Sequence, residues 1–454
     1  MEAPTSVWAP EWRHLTIGLV LTVTLVASEA LAVATVLPLV ARDLQGLSLY
    51  GWVTSAFFLG TLVGIVVGGE QVDRRGPAAP FVAALVVFSA GLLAAGLAPA
   101  MWVVVVGRAL QGVGAGAIPA VSYATIGRTI PHALRPRVFA LLSTAWVVPG
   151  LAGPGLAAVV ATAAGWRAVF LGLVPIVAIT AIVPFRALRS LGAPPESAVA
   201  ASRLVPALRV ATGAGLALAA LAERSLLAVP LAACAAAVAA RPLAGLLPRG
   251  TLTARPGLPA AVLARGLLTF AFFGADTFVP LALVSVRHRS TALAGIALTA
   301  ATLAWTAASW IQQRLVRRTS PRLLVGGGFC IVAAGIAGAA AALSPSTPAE
   351  LAAAAWAVAG FGIGLAYSTL SLAVLREAPA GQEGTATSAL QLSDNLGVAL
   401  GAGLGGTAVA LGAAAGQRAE GIAVAYAIAA AAAVVGIGVA RRLLPELLGS
   451  TAPR

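Results

Sequence analysis

Apolar residues run along this chain in long blocks separated by short polar gaps. A helix needs about 20 mostly apolar residues to cross the hydrocarbon core of a bilayer. Blocks of that length occur at Leu15–Val40, Tyr50–Gly69, Ala78–Pro99, Met101–Ile126, Val138–Ala163 and Ala168–Phe185. A polar, proline-bearing stretch from Arg186 to Pro206 follows, then two weaker blocks, Ala207–Ala222 and Leu226–Leu247. Six strong blocks return at Ala260–Val286, Thr291–Ile311, Leu323–Leu343, Leu351–Leu375, Thr385–Leu411 and Ile422–Val439. The pattern predicts an all-α polytopic membrane protein of fourteen spans, or twelve if the central pair does not cross. Arg209 and Glu223 bound the first central block, and Arg241 and Pro242 interrupt its partner. That pair either spans or forms a re-entrant or interfacial hairpin; both cross or neither does, so the termini share one side. The expected organisation is an N-terminal six-helix bundle over residues 1–190, a linker with two additional helices over 191–257, and a C-terminal six-helix bundle over 258–454.

Composition supports lipid as the solvent. The 454 residues are 59% hydrophobic and only 10% charged, with a mean hydropathy of +0.95, whereas a soluble domain carries about 25% charged residues. The formal net charge of +14 would suggest a nucleic-acid partner in a soluble protein, but every basic residue is arginine and most arginines sit in the gaps between blocks. With both termini cytoplasmic, only Arg42, Arg167, Arg224, Arg287, Arg289 and Arg418 face outside, as the positive-inside rule requires. The lipid bilayer is therefore the expected partner and nucleic acid is not. The first block is too long for a cleavable signal peptide and lacks a small-residue cleavage site. Cys234 and Cys330 fall inside apolar blocks, where a free thiol packs as a small hydrophobe.

The two six-span halves echo each other. After the second span comes GEQVDRRGPAAPF, Gly69 to Phe81; the matching place in the second half, Gln312 to Leu323, is another short arginine-rich turn. Internal repeats of this kind mark transporter folds, with the substrate site at their interface. The first turn resembles the signature loop of the major facilitator superfamily, G-x-L-a-D-R-x-G-r-k, through Gly69, Asp73, Arg74 and Gly76, with Pro77 and Ala78 replacing the usual basic pair. Val104–Gly116, VVVGRALQGVGAG, is similar to that family's fourth-span motif through Arg108, Gln111 and Gly112. PGLAGPGLAA, Pro149–Ala158, resembles its fifth-span antiporter motif through Gly153 and Pro154, while Pro149, Ala157 and Ala158 depart from it. SEALAVATVLP, Ser28–Pro38, resembles the first-span pattern of the fourteen-span drug:proton antiporter branch, with Glu29 where that branch has Asp. The resemblance implies a major facilitator fold and export of amphipathic, drug-like compounds by proton antiport. It also implies a conformational role for the Asp73 loop.

Small residues recur every four positions at Gly60, Gly64 and Gly68, and again at Gly397, Gly401 and Gly405. Such stripes let helix backbones approach closely in lipid, either as fixed packing or as faces that rock during alternating access. Charges inside the spans carry more information. A charged side chain at the bilayer centre costs roughly 2.5–3.5 kcal/mol on insertion scales and defaults to a functional role. Glu29, Arg108, Asp276 and Asp394 stand out. The three acids are candidates for proton coupling, Glu29 and Asp276 ahead of Asp394, because they are titratable groups placed to reach both sides in turn. Asp394, beside Asn395 and a glycine stripe, suits packing. Arg108 is the candidate charge partner for one acid. A cationic substrate or an arginine can compete with the proton for such a carboxylate. Arg265 and Glu70 lie near span ends, where a long side chain can snorkel to water. Trp52, Phe272, Phe273, Trp305 and Tyr367 are candidate cavity-lining aromatics, interfacial placement being the alternative for tryptophan.

Several classes are excluded. A P-loop needs a lysine, and the chain has none. The carbonyl filter motif of potassium channels is absent. His14, His132 and His288 fall at span ends or in loops, without an H-E-x-x-H, so intramembrane hydrolysis has no catalytic set. No enzyme activity, cofactor or metal is expected. The expected partners are a small-molecule substrate and protons, handled by a monomer in the plasma membrane. Lipid export, proton-symport uptake of a metabolite, and a receptor or scaffold without transport remain the alternatives. The orientation makes a direct prediction. In a background with Cys234 and Cys330 replaced, a single cysteine placed in the turn Asp73–Pro77 stays unlabelled by an impermeant maleimide added to intact cells; labelling there would reverse the topology.

Overall fold

The computed structural model describes residues 8–9, 12–130, 138, 141, 145, 147–189, 204–223, 227–316, 318–379 and 383–445. The start of the predicted fifth span, most of the region from Val138 to Trp146, therefore lies outside the described residues, as do His132 and the side chain of Asp73. Fourteen long helices carry the described chain. In order they are α1 (Arg13–Asp43), α2 (Tyr50–Arg75), α3 (Ala78–Gly96), α4 (Met101–Thr129), α5 (Val147–Ala164) and α6 (Trp166–Arg189). The central pair is α7 (Leu204–Ala222) and α8 (Ala228–Leu246). Then come α9 (Leu258–Asp276), α10 (Thr291–Leu315), α11 (Pro321–Ala341), α12 (Leu351–Glu377), α13 (Glu383–Ala414) and α14 (Arg418–Ala440). No strand occurs among the described residues. Thirteen of the helices, α7 and α8 included, are long and apolar enough to cross a membrane, and α5 is a shorter apolar helix. Valine, leucine and isoleucine side chains such as Val86, Val159, Ile179, Val229 and Val434 remain exposed, as a lipid-facing surface requires.

The chain forms two compact units. One comprises Met1–Val40 with Ala56–Ala211, and the other Ala41–Ser55 with Thr212–Arg454. Within the first, α3 packs on α4 and α6, and α5 on α6. Within the second, α11 packs on α12 and α14, α13 on α9 and α14, and α10 on α12. The packing repeats residue by residue. On α4, a Cβ at Gly112 or Gly116 would collide with the carbonyl oxygen of Phe57 or Thr61 on α2. On α12, a Cβ at Gly360 or Gly364 would meet that of Ala301 or Trp305 on α10. Gly91 abuts Gly107 and Gln111 just as Gly335 abuts Ala355 and Ala359. These pairs set the register between the halves: Gly112 with Gly360, Gly116 with Gly364, and on the same helices Arg108 with Trp356.

The predicted glycine stripes lie at close helix contacts. Gly60 and Gly64 press on Ala109 and Val113 of α4; Gly397 and Gly401 press on Gly266, Phe270 and Gly274 of α9. Where helices must stop, glycine supplies the left-handed backbone that other residues resist. Gly76, at φ +76°, ends α2, and Gly165, at φ +82°, turns α5 into α6. The apolar segment begun by α9 is not a single regular helix. It breaks after Asp276, resumes over Val279–Leu281 and ends in a π-helical turn over Ala282–Val286. Pro280 has no N–H to return to the Asp276 carbonyl, which accounts for a break there.

Close backbone contact predicts intolerance to a single methyl. Gly112→Ala is expected to lower the melting temperature of purified protein by several degrees, since overpacking costs roughly 1–3 kcal/mol. Gly172→Ala, whose Cβ would meet nothing within 4 Å, is expected to melt at or above the wild-type temperature. Equal melting of the two variants would show that the α2–α4 contact is loose.

Candidate functional site

In the first unit the embedded charges meet. Arg108 and Gln111 are three apart on α4 and so share a face. Gly112 follows, and its missing side chain brings α2 close enough for the Phe57 ring to lie 4.1 Å from the Arg108 guanidinium carbon. Arg108 Nη1 donates to Glu29 on α1 and to Gln111 Oε1, the latter at 2.6 Å. Glu29 is fully buried and Arg108 nearly so. Each member keeps an unused polar atom: Glu29 Oε2, Arg108 Nε and Gln111 Nε2 are buried without a hydrogen-bond partner. A pair held at one end only, in a medium where unpaired polar atoms are costly, can exchange partners at less cost than a fully satisfied one.

The second unit holds two acids of different character. Asp394 on α13 faces Arg265 on α9, with Oδ1 3.3 Å from Nε, and accepts from the Tyr367 hydroxyl at 2.9 Å. Arg265 also donates to the Tyr367 carbonyl at 2.5 Å and to Ser371 Oγ at 3.0 Å, and its guanidinium carbon stands 3.1 Å from the Tyr367 ring centroid. One expectation is corrected here. Arg265 does not snorkel; it is 4% exposed, because its helix face looks inward onto α12 and α13. The Asp394 carboxylate is held between helices by a cation and a phenol. Asp276 has a neutral partner instead: Trp356 Nε1 on α12 donates to its Oδ1 at 2.6 Å.

Four of the five predicted lining aromatics gather between these acids. Trp356 stacks on Phe272 with centroids 5.1 Å apart, Phe272 meets Phe273 and Trp305 edge-on, and Trp305 meets Tyr367 at 5.1 Å. A continuous aromatic wall thus joins the partner of Asp276 to the partner of Asp394. Trp52, on the first turn of α2, lies outside it. Sequence reasoning missed Trp356, Tyr50 and Tyr426. Tyr50 and Tyr426 are fully buried and lie within electrostatic reach of Asp276. For Trp356 a signal existed in the glycine register, which places it where the first half has Arg108. Among the remaining motif residues, Gly69 has open space where a Cβ would stand. Arg74 pairs loosely with Glu70 at 3.8 Å on the surface, an arrangement worth little. Gly153 sits opposite Leu31 of α1, one residue before Pro154 inside α5.

Helices of membrane-spanning length, a repeated packing scheme and buried acids beside aromatic walls define a polytopic membrane carrier. The chain matches the model of the Major Facilitator Superfamily over residues 18–402, and it belongs to that family. A protein of Mycobacterium tuberculosis named as a probable multidrug-efflux transporter is 29% identical over 431 residues, covering 87% of this chain and 88% of that one. Multidrug resistance protein 3 of Bacillus subtilis is 26% identical over 168 residues, 37% of this chain and 33% of that one. Among solved structures, a bacterial homologue of the human lysosomal transporter Spinster, inward-facing and unoccupied, superposes with a TM-score of 0.69 at 15% identity over 96% of this chain and 98% of that one. A transporter of the POT family in complex with 5-aminolevulinic acid superposes with a TM-score of 0.66 at 13% identity, over 93% and 94% of the two chains. At that identity the likeness is one of fold.

The Arg265–Asp394 contact predicts a non-additive mutant cycle. Arg265→Ala is expected to destabilise the protein strongly, because stranding a buried charge costs roughly 3–5 kcal/mol. The double variant Arg265→Ala/Asp394→Asn should recover part of that loss in thermal unfolding. Strictly additive losses would show that the two side chains act independently.

Proposed function

We propose that this Major Facilitator Superfamily transporter exports amphipathic, drug-like compounds from the cell by proton antiport, as a monomer in the plasma membrane with both termini cytoplasmic. The names of its relatives support the efflux reading. The observation that carries coupling is the ion pair between Glu29 and Arg108, which bridges the first and fourth helices inside an apolar bundle. When Glu29 takes a proton its charge is neutralised and Arg108 loses its counter-ion. The guanidinium, which cannot release its own proton, must then find other acceptors, and the helices that carry the pair repack. Return of the proton to solution restores the pair. One carboxylate thereby converts a proton's arrival into a change of helix packing, which is the two-state element that alternating access needs. Asp276 joins the coupling as the acid for which a substrate and a proton compete, and Asp394, already held by Arg265 and Tyr367, comes after both.

The test is flux through purified protein in proteoliposomes, with and without an imposed pH gradient. Glu29→Gln is expected to exchange substrate at equal concentrations on both sides while losing gradient-driven accumulation, down to the level of protein-free liposomes. Arg108→Ala should lose accumulation more completely than Arg108→Lys. Accumulation by Glu29→Gln at the wild-type level would overturn the coupling assignment. Inward accumulation driven by a proton gradient of the symport sense would overturn export.

A further inference from the structure

The register that aligns the halves extends to the ends of α2 and α10. Phe57 on α2 corresponds to Ala301 on α10, and Thr61 to Trp305, because each presents its carbonyl to an equivalent glycine. Carried along the two helices, that register sets Arg314 where the first half has Glu70, and Arg318 where it has Arg74. In the first half the acid and the base pair with each other at 3.8 Å. In the second half both positions are arginine, and the chain holds no acid between Asp276 and Glu350. Among the described residues, neither Arg314 nor Arg318 makes an ion pair or a side-chain hydrogen bond.

The backbone keeps the two guanidiniums near each other. α10 ends at Leu315, whose carbonyl accepts from the backbone N–H of Arg318 at 2.9 Å and of Thr319 at 2.8 Å. The turn so closed returns Arg318 to the helix end, and Gln313, Arg314, Leu315 and Arg318 line one open cavity of about 540 Å³. Like charges four residues apart repel. The positive-inside rule accounts for arginine in such a turn, but not for two arginines sharing a cavity without an acid. An anion there relieves the repulsion, and the planar guanidinium fork matches the oxygens of a phosphate. The preceding helix indicates what carries that phosphate. Ile296, Leu303, Ala307 and Trp310 are exposed. Their spacing puts them in one stripe down α10 that leads to Arg314, while Ala294, Ala301 and Ala308 on the opposite face are buried. Trp310, one turn before Arg314, is 68% exposed, as suits a ring at the level of lipid headgroups. An apolar stripe, then a tryptophan, then a pair of cations follows the layout of a phospholipid from chain to headgroup. A water-soluble phosphate has no use for the stripe.

We propose that Arg314 and Arg318, with Gln313 beside them, bind the phosphate of an anionic phospholipid whose acyl chains lie along the Leu303–Trp310 face of α10. The lipid supplies to Arg318 the anion that Glu70 supplies to Arg74. The orientation proposed above puts this lipid in the cytoplasmic leaflet. Binding itself depends on neither orientation nor transport, so the site and the export reading stand or fall separately.

The experiment is equilibrium binding to the purified full-length protein in a neutral detergent, with three probes. Phosphatidylglycerol is the anionic lipid, phosphatidylcholine has the same phosphate and chains without net charge, and glycerol 3-phosphate is the anion without chains. Wild-type protein should bind phosphatidylglycerol more tightly than either of the others. Arg314→Glu restores the pairing of the first half, and is expected to weaken phosphatidylglycerol at least about tenfold, equivalent to about 1.4 kcal/mol, with phosphatidylcholine unchanged. The double variant Arg249→Gln/Arg255→Gln removes the same amount of positive charge from the exposed turn between α8 and α9, and should bind phosphatidylglycerol as the wild type does. Melting temperatures establish that each variant is folded. Wild-type affinity for phosphatidylglycerol in folded Arg314→Glu overturns the proposal. An equal loss in Arg249→Gln/Arg255→Gln overturns it too, as that reduces the effect to overall charge. Binding of glycerol 3-phosphate as tight as that of the lipid overturns the lipid assignment in favour of a soluble anion.

Discussion

Taking a charge out of water and into an apolar bundle is the constraint on which the rest of this structure depends. Among the described residues, the acids and arginines deep in the spans include Glu29, Arg108, Arg265, Asp276 and Asp394. Each must find a partner on another helix, and each partner fixes which helix faces meet. Arg108 ties α4 to α1, Arg265 and Asp394 tie α9 to α13 with Tyr367 of α12 between them, and Trp356 ties α12 to α9. In lipid no hydrophobic force drives helices together, so close van der Waals contact and a few polar bridges must hold them. The glycines at the α2–α4 and α10–α12 contacts provide the first. The embedded charges provide the second; Arg108 lies on α4 itself, and Trp356 on α12 bonds one of the acids.

The two kinds of contact have different consequences. Backbone against glycine is stiff, because nothing in it can rotate to another partner. The polar bridges are incompletely satisfied, with unused atoms on Glu29, Arg108 and Gln111. Rigid seams with exchangeable bridges between them allow a bundle to repack without melting.

Much of this could be read directly from the amino-acid pattern, and the rest could not for identifiable reasons. Spans follow from block length alone, since lipid admits few ways to satisfy a backbone. The ion pair of Arg108 was foreseeable in kind, as an embedded cation needs an acid, but the choice among three acids depended on which faces meet. Arg265 looked like a residue near a span end, because distance along a helix is visible in a sequence and the direction of a helix face is not. The partners of Asp394 were hidden for the same reason; its neighbours in the chain are Ser393 and Asn395, while its partners come from α9 and α12. Tryptophan in a membrane protein usually reads as an interfacial anchor, which hid Trp356 as a hydrogen-bond donor. Only comparison of the two halves through their glycines reveals what it replaces.

The π-helical turn at Ala282–Val286 has a consequence for the loop beyond it. Such a turn amounts to one residue more than a regular helix would use over the same rise. Each residue of an α-helix advances the azimuth by about 100°. Asp276 closes α9, and the break at Thr277 and Phe278 separates it from this turn. Removing the surplus residue would therefore rotate the end of the span and the loop beyond it through a comparable angle while α9, and the bond from Trp356 to Asp276, stay in place, so a one-residue change in length there would re-aim the outer loop with no side chain of the site altered.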